Sequence, residues 1–260
     1  MQAASYTDRM RRSSAPEPDR APRLLALDTA TERISVAVVD GEEQWVADEA
    51  GGPLASQRLL PRVFELLEHA GLALGDLDAI AFGRGPGAFT GLRTACSVAQ
   101  GLAFGADLPV LSIDSLAVVA EDAFAQQGMA EVWVAMDARM DETYAAAYRH
   151  VDGDWQVQQA PALWTLAALL EAWQRTPPAC VAGSALAAFG ARLPTGAALR
   201  IATQHDRAAA LARLARAAWR RGEALDAALA LPLYLRDKVA QTTLEREAAR
   251  AAKEAAGVAR

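Results

Sequence analysis

Gly83-Arg84-Gly85-Pro86-Gly87-Ala88-Phe89-Thr90-Gly91-Leu92-Arg93 is the stretch on which the fold of this chain turns. It follows a short apolar run, Ala79 to Phe82, that reads as a strand, and it leads into a helical pattern from about Leu92 to Phe104. Four glycines in so short a run mark backbone held in turns or pressed against something else. Pro86 stiffens the turn, and Arg93 closes it at the predicted start of the helix. Such a loop suits a phosphate, a partner's backbone or a neighbouring helix equally well. Along the helix that follows, Gly91, Ala95, Ala99 and Ala103 form a stripe of small side chains at i, i+4 spacing. A smooth stripe of this kind lets another helix approach at the short end of the usual interaxial range of about 8–10 Å.

Upstream of the loop, Leu24–Leu27 reads as a strand, Asp28–Arg33 as a turn and Ile34–Val39 as a second strand. Asp40-Gly41, a favoured two-residue turn, predicts a hairpin to Gln44–Glu49. Thr29-x-x-Glu32 matches a capping box, but the β-branched residues after it favour a strand. Ser56–Ala70 reads as a helix with Leu59, Val63 and Leu67 on one face, flanked by Leu60, Phe64 and Leu66. Pro61 predicts a kink within it and Gly71 its end. Downstream, the pattern gives a strand at Pro109–Ile113 and a helix at Ser115–Gln127. Strands follow at Val132–Met136, at Thr143–Arg149 and near Trp155–Gln159. Leu166–Gln174 then reads as a helix, Cys180–Ala182 as a strand, Asp206–Arg221 as a long helix and Pro232–Arg236 as an ordered closing segment. Strand pairs followed by helices, once in each half, predict two α/β lobes of related design, with no visible sequence repeat.

The domain expectation is an N-terminal extension over 1–23 without a core of its own, an N-terminal lobe over 24–114, a C-terminal lobe over 115–240 and a charged, Ala-rich tail over 241–260. The 260 residues supply ample material for a core. The formal charge of −6 is uneven: residues 1–23 carry +2, residues 241–260 carry +1, and the body between them carries −9. A body this acidic is a poor grip for a nucleic-acid backbone, so any RNA is expected to be held by a partner. Cys96 and Cys180 lack CxxC spacing and read as reduced and structural, which suits a cytoplasmic protein. No apolar run is long enough to span a bilayer, and no apolar segment follows the N-terminal arginines, so neither a membrane partner nor a secretory leader is expected.

The loop lacks the Lys-Ser/Thr of a P-loop, and Ala88 stands where a dinucleotide fingerprint needs glycine. The histidines, His69, His150 and His205, form no HxxxH or HExxH pair, so no metal site is expected. No GxSxG elbow is present. Asp28 is the carboxylate at the end of an apolar strand, followed by Thr29. In phosphotransferases built from two actin-like lobes, an aspartate there orients Mg²⁺ or water while a glycine-rich turn holds phosphate. An aspartate in that place also bonds the turn amides after it, and Thr29 in place of the usual glycine favours this structural role. Asp137 mirrors Asp28 in the second half. Arg93 could meet an anion or pair with a partner.

Leu25-Ala26-Leu27-Asp28-Thr29-Ala30-Thr31 is the first of four segments that carry a resemblance. The others are the Gly83–Arg93 loop with its Ala99-Gln100-Gly101-Leu102-Ala103 continuation, Asp137-Ala138-Arg139-Met140-Asp141-Glu142, and Pro232–Arg236. Together they resemble the TsaB (YeaZ) family over residues 24–240. The resemblance implies an α/β, two-lobed actin-like/Hsp70-like ATPase fold and a role in forming N6-threonylcarbamoyladenosine at position 37 of tRNA. It implies a non-catalytic subunit with no catalytic residues and no metal of its own. Its partners would be a TsaD-like catalytic subunit, a TsaE-like ATPase, tRNA indirectly through the complex, and a second copy when the partner is absent. No cofactor is implied, with a nucleotide at the partner interface left open. The family's interface helices carry over to Leu59, Leu60, Val63, Phe64 and Leu67, and to Gly91, Leu92, Ala95, Cys96, Ala99, Leu102 and Ala103. Read from the residues themselves, a vestigial nucleotide or anion cleft would comprise Asp28, Thr29, Gly85, Gly87, Thr90, Arg93 and Asp137. Ala55 departs from the His that members often carry before the Ser-Gln-Arg-Leu-Leu-Pro run. An actin-like small-molecule kinase or ATPase working through Asp28 is the competing reading.

Overall fold

A computed structural model describes residues 20–236. The expected extension up to residue 19 and the tail beyond Gln241 lie outside the described residues. The chain begins with β1 (Arg23–Asp28), β2 (Arg33–Asp40) and β3 (Glu43–Ala50), then α1 (Ala55–His69), β4 (Ala79–Gly85), α2 (Phe89–Ala106) and β5 (Val110–Asp114). It continues with α3 (Ser115–Gln127), β6 (Glu131–Asp137), β7 (Glu142–Val151), β8 (Asp154–Thr165), α4 (Leu166–Arg175), β9 (Cys180–Ala182), α5 (Ala185–Phe189), β10 (Leu199–Ile201) and α6 (Arg207–Arg220).

The strands form two five-stranded sheets, ordered β3-β2-β1-β4-β5 and β10-β9-β6-β7-β8. In each sheet the first three strands run antiparallel and the next two join them in parallel. Reading β6 as the counterpart of β1, the two halves have one topology, so the sequence expectation of two related lobes is a structural duplication.

Alternation along the strands sorts the core into layers. Leu25, Leu27, Ile34, Val36, Val38, Ile80 and Phe82 face outward onto α1 and α2. Leu24, Ala26, Ala37, Val39, Ala79 and Ala81 face inward onto α3 and α6, which also receive Val132, Val134, Ala146, Tyr148, Cys180 and Ala182 from the second sheet. The outer face of that second sheet buries Ala135, Ala145 and Val181 under Leu169 and Trp173 of α4 and Ala185, Leu186 and Phe189 of α5. Helices on both faces explain why β1 reads as an unbroken apolar run.

Local chemistry sets most element ends. Asp114, Thr165 and Asp206 cap α3, α4 and α6 through Leu116 N, Ala168 N and Ala209 N, each cap worth about 1 kcal/mol. After α1, Gly71 sits at φ +67, and Leu72 N reaches Leu67 O at 2.9 Å in a Schellman-type close. The helix runs on through Pro61 without a break in its assignment.

Three boundaries differ from the sequence reading, and two short elements are new. The first hairpin turns on Gly41-Glu42, because Asp40 pairs with Glu43 as a strand residue. α2 starts at Phe89, so Arg93 lies in its second turn and not at its start. β8 continues past Gln159 and through Pro161, which is tolerated because β8 is an edge strand. β10 and α5 were not foreseen; three and five residues respectively are too few to show a period. Among the described residues no helix is long and apolar enough to cross a membrane.

Candidate functional site

The glycine loop packs directly onto the turn that follows β1. A Cβ on Gly83 would overlap the Asp28 carboxylate, one on Gly87 would overlap Ala30, and one on Gly91 would overlap the carbonyl of Thr29. Two hydrogen bonds fasten the contact: Thr29 Oγ1 donates to Gly91 O at 2.6 Å and Ala88 N donates to Ala30 O at 2.7 Å. Gly85 N is likewise spent on Ser115 Oγ, 3.1 Å away. The amides of Gly85 and Ala88 therefore serve the fold; Gly87 and Gly91 are there because two backbones touch, and Gly83 because the Asp28 side chain fills the space beside it.

Asp28 is wholly buried. Its Oδ1 accepts from Ala30 N at 2.5 Å, and its Oδ2 accepts from Ser115 Oγ at 2.9 Å and from Arg207 Nη2 at 2.9 Å. Arg207 is 1% exposed and comes from the first turn of α6, 179 residues away in sequence. Its Nη1 donates to Gln204 Oε1 at 3.3 Å. Arg207 Nε and Gln204 Nε2 are buried donors without acceptors. Sequence reasoning missed both Arg207 and Ser115; a lone arginine in an Ala-Arg-Leu helix carries no local signal of a partner that far away.

Between the lobes lies a cleft of about 790 Å³. Gly87, Phe89, Ser115 and Arg207 line one side, Met136, Asp137, Arg139 and Met140 the other, and Leu233–Arg236 its mouth. Of the seven residues expected there, the cleft collects Gly87 and Asp137. Asp28 and Thr29 are buried behind its wall, and Gly85 is buried beside Ser115. Thr90 and Arg93 are not among the lining residues, although Arg93 packs behind two that are, with its Nε on Tyr234 Oη at 3.2 Å and its guanidinium 3.9 Å above the Phe89 ring.

Asp137 keeps its carboxylate local, accepting from Arg139 N at 2.8 Å and Arg139 Nη1 at 3.1 Å. Arg139 also crosses the cleft mouth to Glu32 Oε1 at 2.8 Å. Arg139, Met140 and Asp141 all have positive φ. Arg236 of the closing segment braces that turn through Ala138 O and Glu142. On the opposite side of the lobe junction, Tyr148 Oη donates to Asp114 Oδ2 at 2.7 Å. Burial pushes the Asp114 carboxyl above its ordinary range, opposed by the bonds from Tyr148 and Leu116; burial and the Asp114 charge push the Tyr148 phenol up as well.

The outer helices need a correction. Leu59, Val63, Leu67, Ala95, Cys96, Ala99 and Ala103 are buried in this chain's own outer core, and Leu92 is buried against Gly85 at the cleft wall. The small stripe lets α2 lie close to its own sheet and to α1, and Gly91 is taken by Thr29. Leu102 is half-buried. Of the twelve expected interface residues only Leu60 and Phe64, 38% and 51% exposed, offer large apolar side chains outward. Phe104 of α2, 59% exposed, is a further large apolar side chain outside the core and was not foreseen. Gly101 and Gly105 beside it are exposed and leave open space where a side chain would stand.

A family model described as TsaD, tRNA N6-adenosine threonylcarbamoyltransferase, matches residues 53–244. The chain is 49% identical over 121 residues to the tRNA threonylcarbamoyladenosine biosynthesis protein TsaB of Haemophilus influenzae, covering 46% of this chain and 51% of that protein. It is 42% identical over 142 residues to TsaB of Escherichia coli, covering 54% and 62%. The chain thus spans about half to three-fifths of the length of these curated relatives. Over the whole structure it resembles YeaZ from Pseudomonas aeruginosa, with 42% identity, 82% of this chain, 100% of that one and a TM-score of 0.76. A second Pseudomonas aeruginosa structure, described as an uncharacterized protein with similarity to peptidase YeaZ, gives 41% identity, coverage of 83% and 100%, and the same TM-score. A family model matched over most of the chain and a YeaZ structure matched from end to end show that this chain belongs to the TsaB (YeaZ) family and has its two-lobed, actin-like α/β fold.

Proposed function

We propose that this chain is a non-catalytic subunit that binds and activates a TsaD-like transferase in forming N6-threonylcarbamoyladenosine at position 37 of tRNA. The observation that carries this reading is the outward face of α1 and α2. Leu60 and Phe64 of α1 and Phe104 of α2 stand exposed, Phe104 beside two glycines without side chains, while Leu59, Val63, Ala95, Ala99 and Ala103 anchor the two helices in the core. Large apolar side chains on a rigid, smooth helical face are the material of a protein interface. The names of the relatives supply the pathway. A TsaE-like ATPase, and tRNA held by the complex, complete the assembly, and a second copy of the chain uses the same face when the partner is absent. The location is the cytoplasm, where tRNA is modified.

Intrinsic catalysis has little support in the geometry. Asp28, the group a kinase or ATPase would use, is spent on Ala30, Ser115 and Arg207. The test is reconstitution of tRNA modification with the cognate TsaD-like and TsaE-like proteins, with and without this chain. Modification should depend on the chain, and Phe64→Glu should lose both co-purification with the TsaD-like protein and modification while melting like the wild type. Full modification without the chain, or an undiminished complex with a folded Phe64→Glu variant, would overturn the reading.

A further inference from the structure

The fold family places a metal-bound nucleotide in the cleft, with a carboxylate at the end of the first strand as its anchor. The residues here do not fit that group. Asp28 is wholly buried, and its carboxylate already accepts three bonds: Oδ1 serves Ala30 N, Oδ2 serves Ser115 Oγ and Arg207 Nη2, and the backbone of Gly83 closes in from behind. A small divalent cation needs several oxygen ligands in near-octahedral order, commonly a carboxylate with retained waters. The cleft wall at this point offers donors instead, including the orphaned Arg207 Nε and Gln204 Nε2. The other acidic residues lining the cleft, Glu32 and Asp137, are both paired with Arg139. Among the described residues no three His, Cys, Asp or Glu side chains gather as a metal shell requires.

We propose that Arg207 is the chain's own cation at the end of β1. Its guanidinium neutralises Asp28 from the position a metal would serve, and the cleft accordingly takes no metal–nucleotide. A guanidinium suits the task because it stays charged, is less strongly hydrated than an ammonium and spreads its donors over several acceptors. It reaches Asp28, Gln204 and the Ser115 carbonyl at once. Once it is buried, a second cation beside it meets like-charge repulsion in a poorly screening interior. The pair also joins α6 to β1, so the same contact that closes the metal seat clamps the interlobe helix. This inference concerns the cleft alone and does not depend on the partner reading: the α1/α2 face could dock a transferase whether or not the cleft is closed to metal.

The test uses the full chain. Mn²⁺ binding is followed by electron paramagnetic resonance, with and without ATP, and thermal melts are recorded for the wild type, Arg207→Met, Asp28→Asn and the double variant. The wild type should show no saturable Mn²⁺ or Mn²⁺–ATP site that depends on Asp28. Arg207→Met should melt about 10 °C lower because it leaves a buried carboxylate unpaired. Mn²⁺ should partly restore that variant, and the double variant should recover most of the loss without any response to Mn²⁺. Should Arg207→Met yield no soluble protein, the wild-type titration and the double variant decide between the alternatives. A wild-type Mn²⁺–ATP site weakened tenfold or more by Asp28→Asn would overturn the proposal. So would a double variant whose loss equals the sum of the two single losses.

Discussion

Asp28 and Asp137 end equivalent strands of two lobes with one topology, yet their surroundings have made them opposites. Asp28 has no exposure and ties together a loop, the Ser115 hydroxyl and an arginine from α6. Asp137 has a side chain 17% exposed, lines the cleft and steadies the turn that carries Arg139. What separates them is what packs behind. In the first lobe the glycine loop and α6 close over the strand end; in the second, a five-residue helix leaves it open. Duplication supplies a carboxylate twice, and burial decides whether it acts as a lock or a lip.

The sharpest way to break this contrast is to remove one charge of the buried pair. Arg207→Met should cost about 3–5 kcal/mol in urea unfolding. Asp137→Ala, which loses a pair to the solvent-exposed Arg139 and one local turn bond, should cost about 1 kcal/mol. Equal losses at the two sites would mean that the strand ends do not differ in the way described.

The next effect in size is steric. Gly91→Ala would drive a methyl group into the Thr29 carbonyl, and overpacking of this kind costs about 1–3 kcal/mol or more. Gly101→Ala on the same helix meets nothing and should stabilise by a few tenths up to about 1 kcal/mol. Denaturant midpoints of the two variants, moving in opposite directions, would show that the loop is built for contact between backbones.

Smaller still is a pH effect at the other inter-lobe carboxylate. The Asp114 carboxyl is raised in the fold, so the folded state holds its proton more tightly than the unfolded chain. Its contribution is fully present below the ordinary carboxylate pKa and declines as pH rises through the folded value. Asp114→Asn should therefore gain stability relative to the wild type on going from acid to neutral pH, as read by melts across that range. At the bottom of the scale, Arg139→Ala removes ion pairs to Glu32 and Asp137 from a side chain 73% exposed. Its melting curve should be indistinguishable from that of the wild type, in keeping with the small worth of exposed pairs.

Much of the fold was legible because it rests on local rules. Ser115–Gln127 and Cys180–Ala182 were read with the ends the structure has, and the structure shows why such ends are local: Asp114 caps the helix through Leu116 N and Gly128 closes it in the left-handed region. The site was less legible. The spacing of Leu59, Val63 and Leu67 and of Ala95, Ala99 and Ala103 identified apolar faces. Spacing cannot say whether such a face meets a partner or the chain's own sheet, and here it meets the sheet. Arg207 was unreadable because a salt bridge across 179 residues leaves no periodicity behind.

The sequence by itself determined two α/β lobes, because strand alternation, helix period and turn chemistry are properties of neighbouring residues, and its four motif segments carried the resemblance to the family. Tertiary structure alone decided that the small stripe is core, that Leu60, Phe64 and Phe104 are the outward face, and that Asp28 is locked by an arginine. Those outcomes depend on which surfaces the folded chain brings together and shields from water, and burial is a property of the whole molecule.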